Sequence, residues 1–220
     1  MNIIAKPSPN FDSRKGEDVT FLILHYTGMK TAQEALDRLC DAEVEVSAHY
    51  TVDEEGSVYH HVDEAKRAWH AGVSSWRGQG NINAKSIGIE IVNMGHEWGY
   101  QEFPQTQLSA VKELCLDILS RHKNIQYVLA HSDIAPTRKS DPGELFPWKE
   151  FAQDGIGFWP QEGAPLEGDF LGALAKVGYD VTDENAALIA FQRHYVPEVF
   201  DAKTQGEVCD LTRKRLSGFV

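Results

Sequence analysis

The sequence predicts an α/β fold, a mixed central β-sheet with flanking helices, followed by a small all-α three-helix bundle. Three observations carry this. Apolar runs of strand length occupy residues 19–26, 86–93 and 126–131. Between the last two, Leu108, Val111, Leu114, Cys115, Ile118 and Leu119 keep the helical period, so strands and helices alternate as in a layered sheet protein. Residues 157–168, GFWPQEGAPLEG, then cluster glycine and proline as linkers do, and three shorter helical patterns follow. The division expected is one unit over residues 1–160 and a second over 161–220.

Taken in order, residues 1–18 read as an extended, turn-rich lead-in, because Pro7, Pro9 and Gly16 interrupt any regular element. Val19 to Tyr26 is too continuously apolar for a half-exposed strand and suits a buried central one. Thr31 and Glu34 have the spacing of a capping box ahead of Ala35, Leu36 and Leu39, which begins a short helix. SAHYTVD (47–53) and SVYHHV (57–62), joined by EEG, read as a hairpin. Glycines and asparagines between Gly72 and Asn83 mark a long loop, and such loops inside compact domains tend to be functional. The helix over 106–122 and the strand ending at His131 follow, and a further helix is expected around Trp148–Phe151. In the second unit the helical patterns centre on Phe170 to Val177, on Leu188 to Tyr195 after Thr182 as cap, and on Val208 to Leu216.

The chemistry gathers at strand ends. His25 closes one buried run and His131 another, with Lys139 and Asp141 in the loop beyond, and residues 139 and 141 share a side of an extended backbone ahead of Pro142. Two histidines and a carboxylate suit a three-ligand zinc site with an open fourth position, and an ammonium beside it suits a developing oxyanion. Alternation in SIGIEIVN puts Ile87, Ile89 and Ile91 on one face and Glu90 on the other, among apolar neighbours, which suits a general base with a raised pKa. Blander alternatives stand beside these readings: a solvated HSD…DP loop, a satisfied core histidine, and an edge strand whose Glu90 meets solvent.

The strings LHYTG (24–28), SAHY (47–50), WHAG (69–72), SIGIEIVN (86–93) and AHSDIAPTRKSDPG (130–143) resemble, in order, those of zinc-dependent N-acetylmuramoyl-L-alanine amidases, the group that includes phage amidase lysozymes and peptidoglycan recognition proteins. The resemblance covers about residues 19–160. It implies Zn2+ on His25, His131 and Asp141, Glu90 as general base, Lys139 as oxyanion stabiliser, and a substrate side formed by His49, Tyr50, Trp69, His70, Asn93 and Arg138. Sheet packing is the competing role for His49 and Tyr50, and simple burial for Trp69. The implied reaction cuts the amide between the lactyl group of N-acetylmuramic acid and L-alanine of the stem peptide, in peptidoglycan or its muropeptide fragments. The alternatives are a non-catalytic peptidoglycan receptor and a zinc peptidase cutting within the stem. Residues 161–220, with GYDVTDENAALIAFQRHY, resemble more weakly the three-helix peptidoglycan-binding domains of wall hydrolases, with a purely structural C-terminal extension as the alternative. A chain ending near Pro160 is then expected to fold and to cleave small soluble substrates.

Composition sets bounds. Lys plus Arg number 21 against 33 Asp plus Glu, a net charge of −12, which argues against non-specific nucleic-acid binding. Hydrophobic residues make up 42% of the 220, enough for a real core and without a run long enough to span a membrane. Cys40, Cys115 and Cys209 are an odd, widely spaced set, which fits reduced thiols. With no apolar leader at the start, the expectation is cytoplasmic synthesis, with leaderless export to a periplasm, or a leader removed ahead of the numbering, as the alternatives.

Overall fold

A computed structural model describes residues 3–219. Eight strands and ten helices or helical turns are formed among them. The central six-stranded sheet comprises β1 (Ile3–Ala5), β3 (Phe21–Tyr26), β4 (Tyr50–Val52), β5 (Val58–His60), β7 (Ser86–Ile91) and β8 (Tyr127–Ala130), in the order β1-β5-β4-β7-β3-β8. Strands β4, β7, β3 and β8 run parallel, β5 returns antiparallel to β4 as the expected hairpin, and β1 pairs parallel to β5. The lead-in is more regular than its prolines imply. Besides β1 it supplies β2 (Phe11–Ser13), paired antiparallel with β6 (Lys66–Ala68), and the prolines lie between these strands.

Each face of the sheet has its own cover. Leu22, Leu24, Ile87, Ile89, Ile91 and Val128 point to one face and pack with Val111, Leu114, Cys115 and Ile118 of α4 (Gln105–Arg121) and Phe151 of α6 (Trp148–Gln153). Helix α1 (Ala32–Cys40) is capped as expected by Thr31, whose side chain accepts from the Glu34 amide. Phe21, Ile23 and Leu129 point to the opposite face, and the cover there comes from the end of the chain: α7 (Phe170–Val177), α8 (Glu184–Tyr195), the turn α9 (Glu198–Asp201) and α10 (Asp210–Ser217). Asp183, one residue past the expected Thr182, caps α8 by accepting from the Ala186 amide.

These last helices share a core with the sheet. Trp76 of the long loop is 2% exposed, packs edge-on against Tyr179 at 5.0 Å, and fits only because residue 178 is glycine: a Cβ there would meet its ring at 2.4 Å. Phe170, Leu174, Phe191 and Leu216 join Phe21, Trp76 and Ile134 in one buried cluster. A cut after Pro160 would expose this surface, on the order of 25 cal/mol for each Å² of apolar area returned to water, so the truncated chain loses part of the core of its own sheet.

Two histidines outside the cleft set an acid limit on the fold. His61 Nδ1 donates to the Lys6 carbonyl at 2.7 Å and its Nε2 lies 2.8 Å from the Thr51 hydroxyl; burial first, then the charges of His60 and Lys6, lowers its pKa to about 4 against the opposing Lys6 hydrogen bond. Burial and the Arg14 charge lower that of His49 to about 3. Both folded values lie below the unfolded ~6.5, so the unfolded chain binds more protons between these limits. Stability is therefore fully present above about pH 6.5 and is lost as pH falls toward 4. Chemical denaturation across this range should show the loss, with the slope against pH reduced by about one proton in His61→Gln; an unchanged slope would be contrary.

Among the described residues no helix is long and apolar enough to cross a membrane, and Cys40, Cys115 and Cys209 are all free thiols.

Candidate active site

Parallel strands deliver three of the side chains to one place. In the β3–β7 register His25 stands opposite Glu90, so on adjacent parallel strands the two project from the same face near the carboxyl ends. Leu24 pairs with Ala130 of β8, which puts His131 in the next position beside His25. His131 opens the turn α5 (His131–Ile134), and the chain returns to it at Asp141, whose carbonyl accepts from the Ser132 amide at 3.0 Å.

His25 Nδ1, His131 Nδ1 and Asp141 Oδ2 form a triangle with 3.0 Å sides. The rings' other nitrogens reveal what this triangle is. His131 Nε2 faces the Ala71 carbonyl at 3.1 Å, which can only accept, so Nε2 carries the proton and Nδ1 a lone pair. The Ser86 hydroxyl donates to the Ile82 carbonyl and therefore accepts from His70 Nε2 at 3.0 Å. His70 Nδ1 is then the acceptor for His25 Nε2 at 2.9 Å, and His25 Nδ1 is also a bare lone pair. Three acceptors meet with no proton among them. Tetrahedral zinc with bonds of about 2.0–2.1 Å holds its ligand atoms roughly 3.3 Å apart, so small shifts would fit the triangle to such an ion. Among the described residues it is the one group of His, Cys, Asp and Glu gathered closely enough to hold a metal.

Charge at the triangle follows from burial and neighbours. Burial and the His131 charge, outweighing Asp141, lower His25 to about 4, which keeps its lone pair available. Burial opposes ionisation of Asp141, yet a proton shared with His131 or His25 beside it would hold its carboxyl well below the usual carboxylate range. Glu90 is the reverse case: burial and then the Asp141 charge raise its pKa well above the ordinary value, against a smaller pull from Lys139. Its Oε1 lies 4.0 Å from His25 Nδ1, and Oε2 is buried with no protein partner.

The site lies in a cleft of about 640 Å³ lined by His25, Glu90, His131, Lys139 and Asp141 together with Trp69 and Arg138. Trp69 and Arg138 therefore line the cleft, Arg138 tied to the carbonyls of Ala71 and Val73. Four other expected substrate-side residues require correction or a new role. His49 is wholly buried, with Nδ1 accepting from the Gly88 amide and Nε2 facing the Lys66 carbonyl, so it pins β7 from behind. Tyr50 lies in the core on the opposite face, with its hydroxyl on Glu64. Asn93 turns away to bridge the Gln101 carbonyl and the Gly95 amide, closing the loop after β7. His70 reaches the site from beneath, as the backing of His25; it occupies the space above Gly88, where a Cβ would lie 2.5 Å from its ring. Residues that the sequence reading missed border the cleft: Tyr26 bonds Ser140 and His96, and His96 bonds Glu144. Nothing in a linear pattern joins positions so far apart.

Residues 15–144 match the N-acetylmuramoyl-L-alanine amidase family over the stretch that supplies this whole constellation. The chain belongs to that family. It is 33% identical to the N-acetylmuramoyl-L-alanine amidase AmiD of Escherichia coli over 93% of this chain and 87% of AmiD. The 1,6-anhydro-N-acetylmuramyl-L-alanine amidase AmpD of Haemophilus influenzae is 31% identical over 66% of this chain and 87% of its own. The structure of E. coli AmiD in complex with the substrate anhydro-N-acetylmuramic acid-L-Ala-D-gamma-Glu-L-Lys superposes with a TM-score of 0.80 at 31% identity, covering 96% of both chains. The protein is thus an enzyme, an amidase of the muramoyl-L-alanine class, on the mixed α/β fold expected.

Proposed function

We propose that this amidase uses zinc, held by His25, His131 and Asp141, to release the stem peptide from the lactyl group of N-acetylmuramic acid, with anhydromuropeptides among its substrates. The observation that carries the zinc assignment is the triangle of unprotonated acceptors, a geometry that is costly to bury without a cation. The substrate assignment draws on the bound ligand of the AmiD complex. When bound, zinc supplies Lewis acidity toward a carbonyl and a water.

The protein's own groups do the rest. Glu90, with a free oxygen and a raised pKa, takes the proton of the attacking water and holds it until the departing alanine nitrogen accepts it. Lys139, on the cleft wall, balances the negative charge that develops on the carbonyl oxygen. Arg138 and Trp69 line the adjoining wall, where a stem carboxylate and a sugar face would find a charge and an aromatic surface.

Mass analysis of products tests this reading. Incubation with a soluble anhydromuropeptide and with purified wall should yield a free peptide beginning with L-alanine and the intact saccharide. A cut between two stem residues would instead make the protein a zinc peptidase, and binding without cleavage a receptor.

A further inference from the structure

Successive residues of α8 grip the two ends of the loop that carries His131, Lys139 and Asp141. His194 Nδ1 lies 2.6 Å from Asp133 Oδ2, and Arg193 Nε donates to Glu144 Oε2 at 3.1 Å. Asp133 is fully buried, two residues past His131 in the same turn; it also accepts from the Tyr179 hydroxyl at 2.6 Å and from the Ala130 amide at 2.8 Å. His194 is itself fixed, stacked on Trp148 with centroids 3.9 Å apart. Glu144 passes the hold inward through His96 and Tyr26 to Ser140, next to Asp141.

A third connection reaches His131 from its other side. The Ala71 carbonyl that backs its Nε2 leads into the loop bearing Trp76 and Arg77, and there the Arg77 amide donates to the Gly178 carbonyl at 2.9 Å while its Nε donates to that of Val177 at 3.0 Å. The C-terminal helices thus bond Asp133, Glu144 and Arg77, on three segments that lead to His131 or Asp141, without lining the triangle. An extension that served only to hold wall would have no use for buried polar bonds to this turn, since each costs desolvation unless all its partners are in place.

We propose that Arg193 and His194 are positioning residues for the metal site, and that the C-terminal helices fix the loop 131–144 in its ligand geometry. This rests on the reading that His131 and Asp141 hold the ion. It makes the second unit part of the catalytic machinery's support, whatever affinity for wall it adds.

The test is the full-length variant pair Arg193→Met and His194→Leu, alone and combined, at a temperature where each is folded. Zinc affinity, read by chelator competition, should fall about 10-fold in the double variant, the scale of a lost outer-shell partner. The visible spectrum of the cobalt-substituted protein should change, and kcat should fall by a larger factor than KM rises. In metal-free protein the Ser132 and Ala135 amides, bonded to the carbonyls of Asp141 and His131, should exchange faster while amides of β3 keep their protection. His194→Asn, which returns a donor near the position of Nδ1, should restore much of each effect. If the double variant fails to fold, Arg193→Met and Tyr179→Phe, which each remove one contact, give the same readings.

Unchanged affinity, spectrum and exchange, even with a lowered melting temperature, would overturn the proposal and leave the helices a stability element only. Because exchange is read without metal, it decides this point even if the wild-type protein takes up no zinc, an outcome that would instead overturn the metal reading.

Discussion

Glu90→Gln is expected to keep its metal and lose turnover by about 100- to 10,000-fold. The substitution preserves shape and removes only the capacity to take a proton. Glu90 stands in register opposite His25 but its nearer oxygen is 4.0 Å from the ligand nitrogen, outside the 3.0 Å triangle, so the ion does not depend on it. Gln also relieves a burial cost: the carboxyl has its pKa raised by burial and Asp141, and a neutral amide needs no such compensation. The variant should therefore fold at least as well as the parent. Zinc content by elemental analysis and turnover on a soluble muropeptide check both halves. Near-normal turnover would remove Glu90 from the mechanism, and a large loss of zinc would make it a ligand.

Glu90 also shows what the sequence made legible. In a strand the side chain alternates, so one charged residue among Ile87, Ile89 and Ile91 already tells which face it occupies, and the parallel register supplies the partner. The same logic placed His25 and His131, because each ends an apolar run whose burial is set by composition alone. His49 and Tyr50 defeated it. Alternation separates their faces but cannot say which face looks into the cleft or how near the cleft a strand lies, and neither side chain reaches it. His70 was legible only as a neighbour of Trp69; its task behind His25 depends on the missing side chain of Gly88 on another strand. The stretch 157–168 reads as a linker from its glycines and prolines, yet Trp159 packs against both cores and the Leu166 amide bonds the Arg213 carbonyl. Composition reports what the backbone can do, and tertiary contacts decide what it does.

Asp141→Ala is expected to empty the metal site, leaving well under about 0.1 zinc per chain after dialysis against about one in the parent. The argument is electrostatic. His25 and His131 offer neutral lone pairs, since their other nitrogens carry protons given to His70 and Ala71, so Asp141 is the only anion among the three proposed ligands. Removing it takes away one of three protein ligands and the charge that favours a divalent ion in a buried place. The fold should survive, because the contact that closes the loop uses the Asp141 carbonyl, which accepts from the Ser132 amide and is present in alanine too. His25 would also lose the carboxylate that favours its protonated form, so it gains no charge that could unfold the site. Circular dichroism should match the parent, while elemental analysis shows the loss and hydrolysis falls with it. A variant that retained one zinc per chain would show that the ion sits elsewhere.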